Sequence, residues 1–225
     1  MSLTLARALR RALTTSAAAN GGDASTAFRA AMRRQAFPVC VLSTAWAAER
    51  PTSGPRHRLA TISSFTSVSL SPPIVSFALR HPSRFGDALA SRPDRAFALH
   101  LLAHDQAELS VRFADPATQT DLDGVNVVDW IAPDRAVPVL GDCLAVLECV
   151  LEPGAPVAVG DHTLWFGRVV RALDNASTKS SGNKKPLLYV NREYTTTAEE
   201  TFGPPPTAPA TNTVPPAPAT INGKQ

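Results

Sequence analysis

The sequence predicts a mainly β protein, a Greek-key-like antiparallel β-barrel with a few short helices. Short apolar runs, partly β-branched, recur along the chain, each bounded by proline, glycine or polar residues. That is the pattern of strands in a barrel that encloses its own edges. One run, Cys143 to Leu151, alternates: Cys143, Ala145, Leu147, Cys149 and Leu151 are apolar, while Glu148 and Glu152 mark the other face. Neither a Gly-x-Gly-x-x-Gly string nor regular strand–helix alternation is present, which disfavours a Rossmann fold, and there is no P-loop.

The first 22 residues carry Arg7, Arg10 and Arg11 with Ser and Thr, and no acidic residue precedes Asp23. Leu3, Leu5, Leu9 and Leu13 allow an amphipathic helix, so the segment has the composition of a mitochondrial transit peptide. A mitochondrial matrix protein is therefore expected, with a cytoplasmic one as the alternative. From Phe202 onward there are seven prolines and one charge, Lys224. Such a tail cannot bury enough surface to offset its ordering entropy. The expected domain is 23–200, a normal size for a single core. The formal charge of +3 owes much to the three early arginines. Nothing in the body calls for nucleic acid, and no apolar stretch is long enough to span a bilayer.

Within the body, Phe28, Ala31, Met32 and Gln35 recur at helical spacing, with Asp23 or Ser25 able to cap the start. Strands are expected at Pro38 to Ala45, Leu59 to Ser63, Ile74 to Leu79 and Ala96 to Leu102, the first two joined by a polar loop over Glu49 to Pro55. A short helix, Ser83 to Ala90, opened by Pro82 and closed before Pro93, turns Phe85 and Leu89 inward. A second helix covers Asp105 to Phe113. Thr163 to Ala172 follows the turn at Gly160-Asp161 and pairs antiparallel with Cys143 to Leu151. A polar loop, Asn175 to Lys185, leads to a last strand at Leu187 to Val190.

Cys40, Cys143 and Cys149 are odd in number and lie in apolar surroundings, which fits buried free thiols. The five histidines are scattered, so no metal is expected. No Ser lies in a Gly-x-Ser-x-Gly context, and the cysteines lack an activating His.

The stretch from Thr61 to Pro73 is the densest in chemistry. Thr61, Ser63, Ser64, Thr66, Ser67, Ser69 and Ser71 supply hydroxyls, interleaved with Phe65, Val68 and Leu70, and Pro72-Pro73 enforces an extended lead into the next strand. Hydroxyls and free N–H groups suit a phosphate, and Phe65 suits an apolar ring. Equally, it reads as a Ser/Thr-rich connection whose hydroxyls satisfy their own backbone.

With Ser83-Arg84-Phe85, Phe97-Ala-Leu-His-Leu-Leu102, His104-Asp-Gln-Ala-Glu-Leu109, Arg112-Phe-Ala114, Leu144-Ala-Val-Leu-Glu-Cys149, Gly160-Asp-His162, Gly167-Arg-Val169 and Pro186-Leu-Leu-Tyr189, this stretch resembles the flavin reductase-like family from Phe28 to Tyr194. The resemblance implies an FMN-binding split β-barrel that transfers hydride from NADH or NADPH to FMN or FAD. It also implies a homodimer, with reduced flavin passed to a monooxygenase or other acceptor. It assigns Thr61, Ser63 and Ser64 to flavin phosphate or ribityl oxygens, Ile62 and Phe65 to the ring, and Ser83 and Arg84 to the phosphate end, with Arg80 as a weaker candidate. His100 stands where the family commonly has Asn and is expected either to line the flavin site or to be a plain strand histidine facing a neighbouring subunit. His162 is expected beside the flavin face where nicotinamide docks, with Tyr189 either closing the same pocket or simply packing. A flavin-binding redox or assembly protein with little turnover, and a flavin-dependent oxidase, remain open on the same barrel.

Overall fold

The structure is a computed structural model that describes residues 23–46, 56–131, 137–174 and 184–198. The leader at 1–22 and the Pro-rich tail lie outside the described residues, as do most of the two polar loops.

Helix α1 (Ala24–Arg33) is capped by Asp23, whose carboxylate accepts from Ser25 N, and it buries no residue. Strands β1 (Phe37–Pro38), β2 (Cys40–Trp46) and β3 (Arg56–Ile62) follow. Next come β4 (Thr66–Leu70) and β5 (Pro73–Arg80). Helix α2 (Arg84–Ser91) precedes β6 (Ala96–Leu101), and a 3-10 turn at His104–Gln106 leads into α3 (Ala107–Ala114). The remaining strands are β7 (Val127–Ile131), β8 (Val137–Leu140), β9 (Ala145–Leu151), β10 (Val157–Val159), β11 (His162–Asp174), β12 (Leu188–Val190) and β13 (Glu193–Thr195).

An antiparallel sheet of eight strands forms the body, in the order β3-β2-β6-β9-β11-β5-β4, with β10 added to β11. Its two edge strands, β3 and β4, are consecutive in the chain and separated only by Ser63, Ser64 and Phe65. The chain therefore passes from one edge of the sheet to the other through these three residues, a seam at which no ladder joins β3 to β4 among the described residues. The helix opened by Ser83 starts one residue later than expected, because the Ser83 hydroxyl caps it by accepting from Gly86 N at 3.1 Å.

Both faces of the sheet are covered. The inner core holds Leu42, Ile62, Phe77, Phe97, Leu99 and Trp165, closed by Phe85 and Leu89 of α2. Gly167 is glycine because a Cβ there would stand 2.4 Å from Phe97 Cζ. The outer core holds Val41, Leu59, Ala98, Phe113, Val139, Val146 and Leu187. This second core corrects the expected polar face of Cys143 to Leu151. Val146 is buried against α3 and β8, and Glu148 is 9 % exposed with its carboxylate 2.9 Å from Arg171 Nη1. Strands β4, β7, β8, β10 and β13 were not expected from periodicity. They are short or Ser/Thr-rich, and pairing with neighbours holds them. The three cysteines are buried and form no disulfide among the described residues, and burial pushes each thiol up to about 12.

Candidate functional site at the barrel seam

The seam between β3 and β4 brings Thr61 to Phe65 to the surface. Two of its hydroxyls are already used. Thr61 Oγ1 donates to Ser110 O of α3 at 2.7 Å. Ser64 Oγ donates to Ala78 O and accepts from Ala78 N, both at 3.0 Å. Ser64 thereby substitutes for a ladder residue on β5 just beyond the end of β4. The hydroxyls that residue type alone assigns to a ligand are partly the fastening of the seam.

The main chain is what remains available. Among the described residues, no acceptor meets the N–H groups of Ser63, Ser64 or Phe65, which lie between the two strands. Unpaired backbone donors persist only where water or a ligand reaches them. Ser63 is half-buried, Ser64 exposed, and Phe65 packs its ring against the inner core. This donor set fits the oxygen atoms of a flavin ring edge or a phosphate.

Two clefts adjoin the seam. One, of about 200 Å³, is lined by Thr61, Ile62, Ser63, Ser110, Tyr189 and Tyr194. The other, of about 320 Å³, shares Ser63 and Tyr189 with it and runs beneath Phe28 and Met32 of α1. Tyr189 and Tyr194 sit on paired strands with ring centroids 5.5 Å apart, and Tyr194 Oη meets Ser110 Oγ at 2.9 Å. The structure thus joins Tyr189 to Thr61, Ile62 and Ser63. Tyr194 and Ser110 carry no signal in the sequence, since only the turn at Asn191-Arg192 and the packing of α3 bring them here.

His162 lies elsewhere, opposite Arg80 where β11 starts and β5 ends, and it lines neither cleft. Gly160 adopts φ +59° in the preceding turn, a conformation open to glycine. His162 Nδ1 is 2.7 Å from Asp161 Oδ1. A carboxylate only accepts, so Nδ1 donates and Nε2 is left for a ligand. That hydrogen bond, with smaller help from Arg80, holds the Asp161 carboxyl below the usual carboxylate range. Arg80 Nε approaches Asp161 Oδ2 at 3.6 Å, an exposed pair of little energetic weight. His162 and Tyr189 therefore do not share one pocket within the chain.

Arg84 opens α2 and lines a third cavity of about 400 Å³ with Trp46, Arg56 and Arg58. Ser83, spent on the helix cap, offers its hydroxyl to Gly86 N. His100 departs most from expectation. It is 0 % exposed, on the outer-core face of β6, where its Nδ1 donates to Val41 O at 2.9 Å. Its Nε2 has no partner among the described residues, and burial lowers its pKa to about 4. A side chain enclosed on every side does not line a ligand cleft.

The comparisons agree with this architecture. A family profile described as flavin reductase like domain matches residues 32–198. An FMN reductase (NADH) of Agrobacterium fabrum is 36% identical over 157 residues, covering 68% of this chain and 78% of that protein. The reductase subunit of a flavin-dependent monooxygenase of Rhodococcus jostii is 31% identical over 132 residues, 59% of this chain and 60% of its own. Among solved structures, the NADH:FAD oxidoreductase of Streptomyces globisporus in complex with NAD and FAD fragments superposes with a TM-score of 0.62 at 25% identity. It covers 79% of this chain and 94% of its own. With the family profile spanning most of its length, this chain belongs to the flavin reductase-like domain family.

Proposed function

We propose that the protein transfers hydride from NADH or NADPH to FMN or FAD and delivers reduced flavin to an acceptor, a monooxygenase above all. The observation that carries this reading is the seam. The N–H groups of Ser63, Ser64 and Phe65 meet no acceptor among the described residues, and Ser63 lines the cleft walled by Tyr189 and Tyr194. Flavin, when bound, supplies the hydride-accepting chemistry. The protein's part is to bind, orient and shield. The seam N–H groups hold ring or ribityl oxygens, the Tyr189 wall limits water, and Arg84 offers a guanidinium to the phosphate end. His162, fixed through Nδ1 by Asp161, presents Nε2 to orient the nicotinamide carboxamide without exchanging a proton.

A homodimer belongs to the same proposal. Its support is the apolar surface left uncovered in one chain. Val157 and Val159 on β10 and Val68 and Leu70 on β4 are exposed, and so is Phe28 on α1. A two-fold copy would cover such patches isologously. The relatives that carry an organism name here are bacterial, which gives the mitochondrial expectation no support, and its residues lie outside those described.

Purified protein mixed with NADH or NADPH and free FMN or FAD, followed at 340 nm, tests the activity. Oxidation of the nicotinamide dependent on added flavin is expected. Flavin binding without turnover would leave a binding protein, and an absence of flavin binding would end the proposal.

A further inference from the structure

The cavity at α2 gathers three guanidinium groups, those of Arg56, Arg58 and Arg84, against the one carboxylate of Asp87. Arg56 and Arg58 alternate on β3, so both project from the same face of the strand toward α2. Arg84 enters from the first turn of α2, and Trp46, Asp87 and Ser91 complete the wall of this space of about 400 Å³. That size matches a small-molecule site. Among the described residues, neither Arg56, Arg84 nor Asp87 makes an ion pair.

Arg58 is held in place from two sides. Its guanidinium lies 5.1 Å from the centre of the Trp46 ring, and Nη1 donates to Gln119 Oε1 at 3.3 Å. Burial, and then the like charge of Arg84, lower the Arg58 pKa. Three guanidinium groups that outnumber the single Asp87 carboxylate repel one another, and an anion placed between them relieves that repulsion. A guanidinium already fixed by a ring and an amide loses little freedom when it binds, which favours the fork geometry of a phosphate contact.

We infer that Arg56 and Arg58, acting beside Arg84, form a recognition site for a second phosphate group, one that a dinucleotide carries beyond the phosphate of FMN. This rests on the reading of Arg84 as the residue at the flavin phosphate end. Two ligands bring that chemistry: FAD through its diphosphate, and NADPH through its 2′-phosphate. Which one occupies the site decides either flavin choice or nicotinamide choice. Trp46 and Ser91 then contact the ribose or base that follows the phosphate.

The test compares wild type with Arg56→Gln/Arg58→Gln by calorimetric titration. ADP carries the diphosphate and 2′,5′-ADP carries the 2′-phosphate, each without flavin or nicotinamide. Charge-assisted contacts of this kind are worth about tenfold or more in affinity. The double variant is therefore expected to lose about tenfold for one probe. Loss for ADP, with a matching fall in the FAD:FMN affinity ratio, assigns the site to FAD. Loss for 2′,5′-ADP, with a matching fall in the NADPH:NADH ratio of kcat/KM, assigns it to NADPH. If wild type binds neither probe, or the variant binds both as wild type does, the inference is overturned. Circular dichroism checks the fold of the variant. Should the double variant not fold, the exposed Arg56→Gln carries the same titrations. Wild type that binds a probe but no FMN would sink the flavin reading and leave the phosphate site standing.

Discussion

Replacing His100 with Asn should remove an acid-sensitive weakness from the fold. His100 is fully buried, its Nδ1–H given to Val41 O and its Nε2 without a partner among the described residues. Protonation would place an unpaired charge in the outer core. Burial, only partly opposed by the Val41 hydrogen bond, holds the folded pKa near about 4, against 6.5 for an ordinary imidazole. Between those two values the unfolded chain binds a proton that the folded protein refuses, so stability falls as the pH is lowered through that window. The full contribution is roughly 3 kcal/mol, of which about 2 kcal/mol is lost between pH 7 and pH 5. Asn at this position can still donate to Val41 O and does not titrate. Urea unfolding of both proteins from pH 7 to pH 5 reads the difference. Wild type should lose about 2 kcal/mol more than His100→Asn over that range, whatever their offset at pH 7. Parallel stability curves would show that His100 is not held neutral by its surroundings, and the reasoning from its orphaned Nε2 would fail.

Other outcomes follow from the same contacts. Ser64→Ala should cost about 1 kcal/mol in denaturant unfolding, because Ala78 N and O both lose their partner. Unchanged stability with weakened FMN binding would return the Ser64 hydroxyl to the ligand. Arg84→Ala should weaken FMN binding roughly ten- to a hundredfold, as loss of a charge-assisted phosphate contact does. His162→Ala should leave FMN affinity nearly intact and slow hydride transfer in stopped flow at saturating flavin. Equal affinity losses in these two variants would refute a division between phosphate end and nicotinamide side. Light scattering should report a dimer, and a monomer that still binds FMN tightly would remove the isologous interface.

Where side chains alternate between two apolar environments, sequence and structure agree closely. Strands β2, β5, β6, β9 and β11 all fall within a few residues of their apolar runs, because burial on each face demands a hydrophobe at that period. Strand β4 shows why others were hidden. Ser67 and Ser69 alternate with Val68 and Leu70, yet Val68 is 52% and Leu70 88% exposed, so no core burial distinguishes the run from a polar connection. Its order comes from pairing with β5, a long-range property. The site divides the same way. That Arg56 and Arg58 share a face is legible from their spacing, but the approach of Arg84 depends on how α2 docks. Thr61 finds its acceptor 49 residues away and Ser64 finds its partner 14 residues away, which no local pattern reveals.

The hydroxyl-rich stretch forms the seam of the barrel, for a reason that residue types alone do not state. A split barrel must fasten two edges that do not pair, and short hydroxyl side chains can satisfy a neighbouring strand's N–H and C=O without adding a residue to the ladder. Ser64 does this for Ala78, and Thr61 ties the seam to α3. Once the side chains are turned to that task, the N–H groups of Ser63 to Phe65 lie outside the strands and meet no acceptor among the described residues. On the proposed reading, binding and fastening thus reside in the same few residues but in different atoms. It follows that alanine substitutions along Thr61 to Ser64 report on the seam first and on the ligand second, whereas a substitution that removes an N–H, such as Ser63→Pro, addresses the ligand directly.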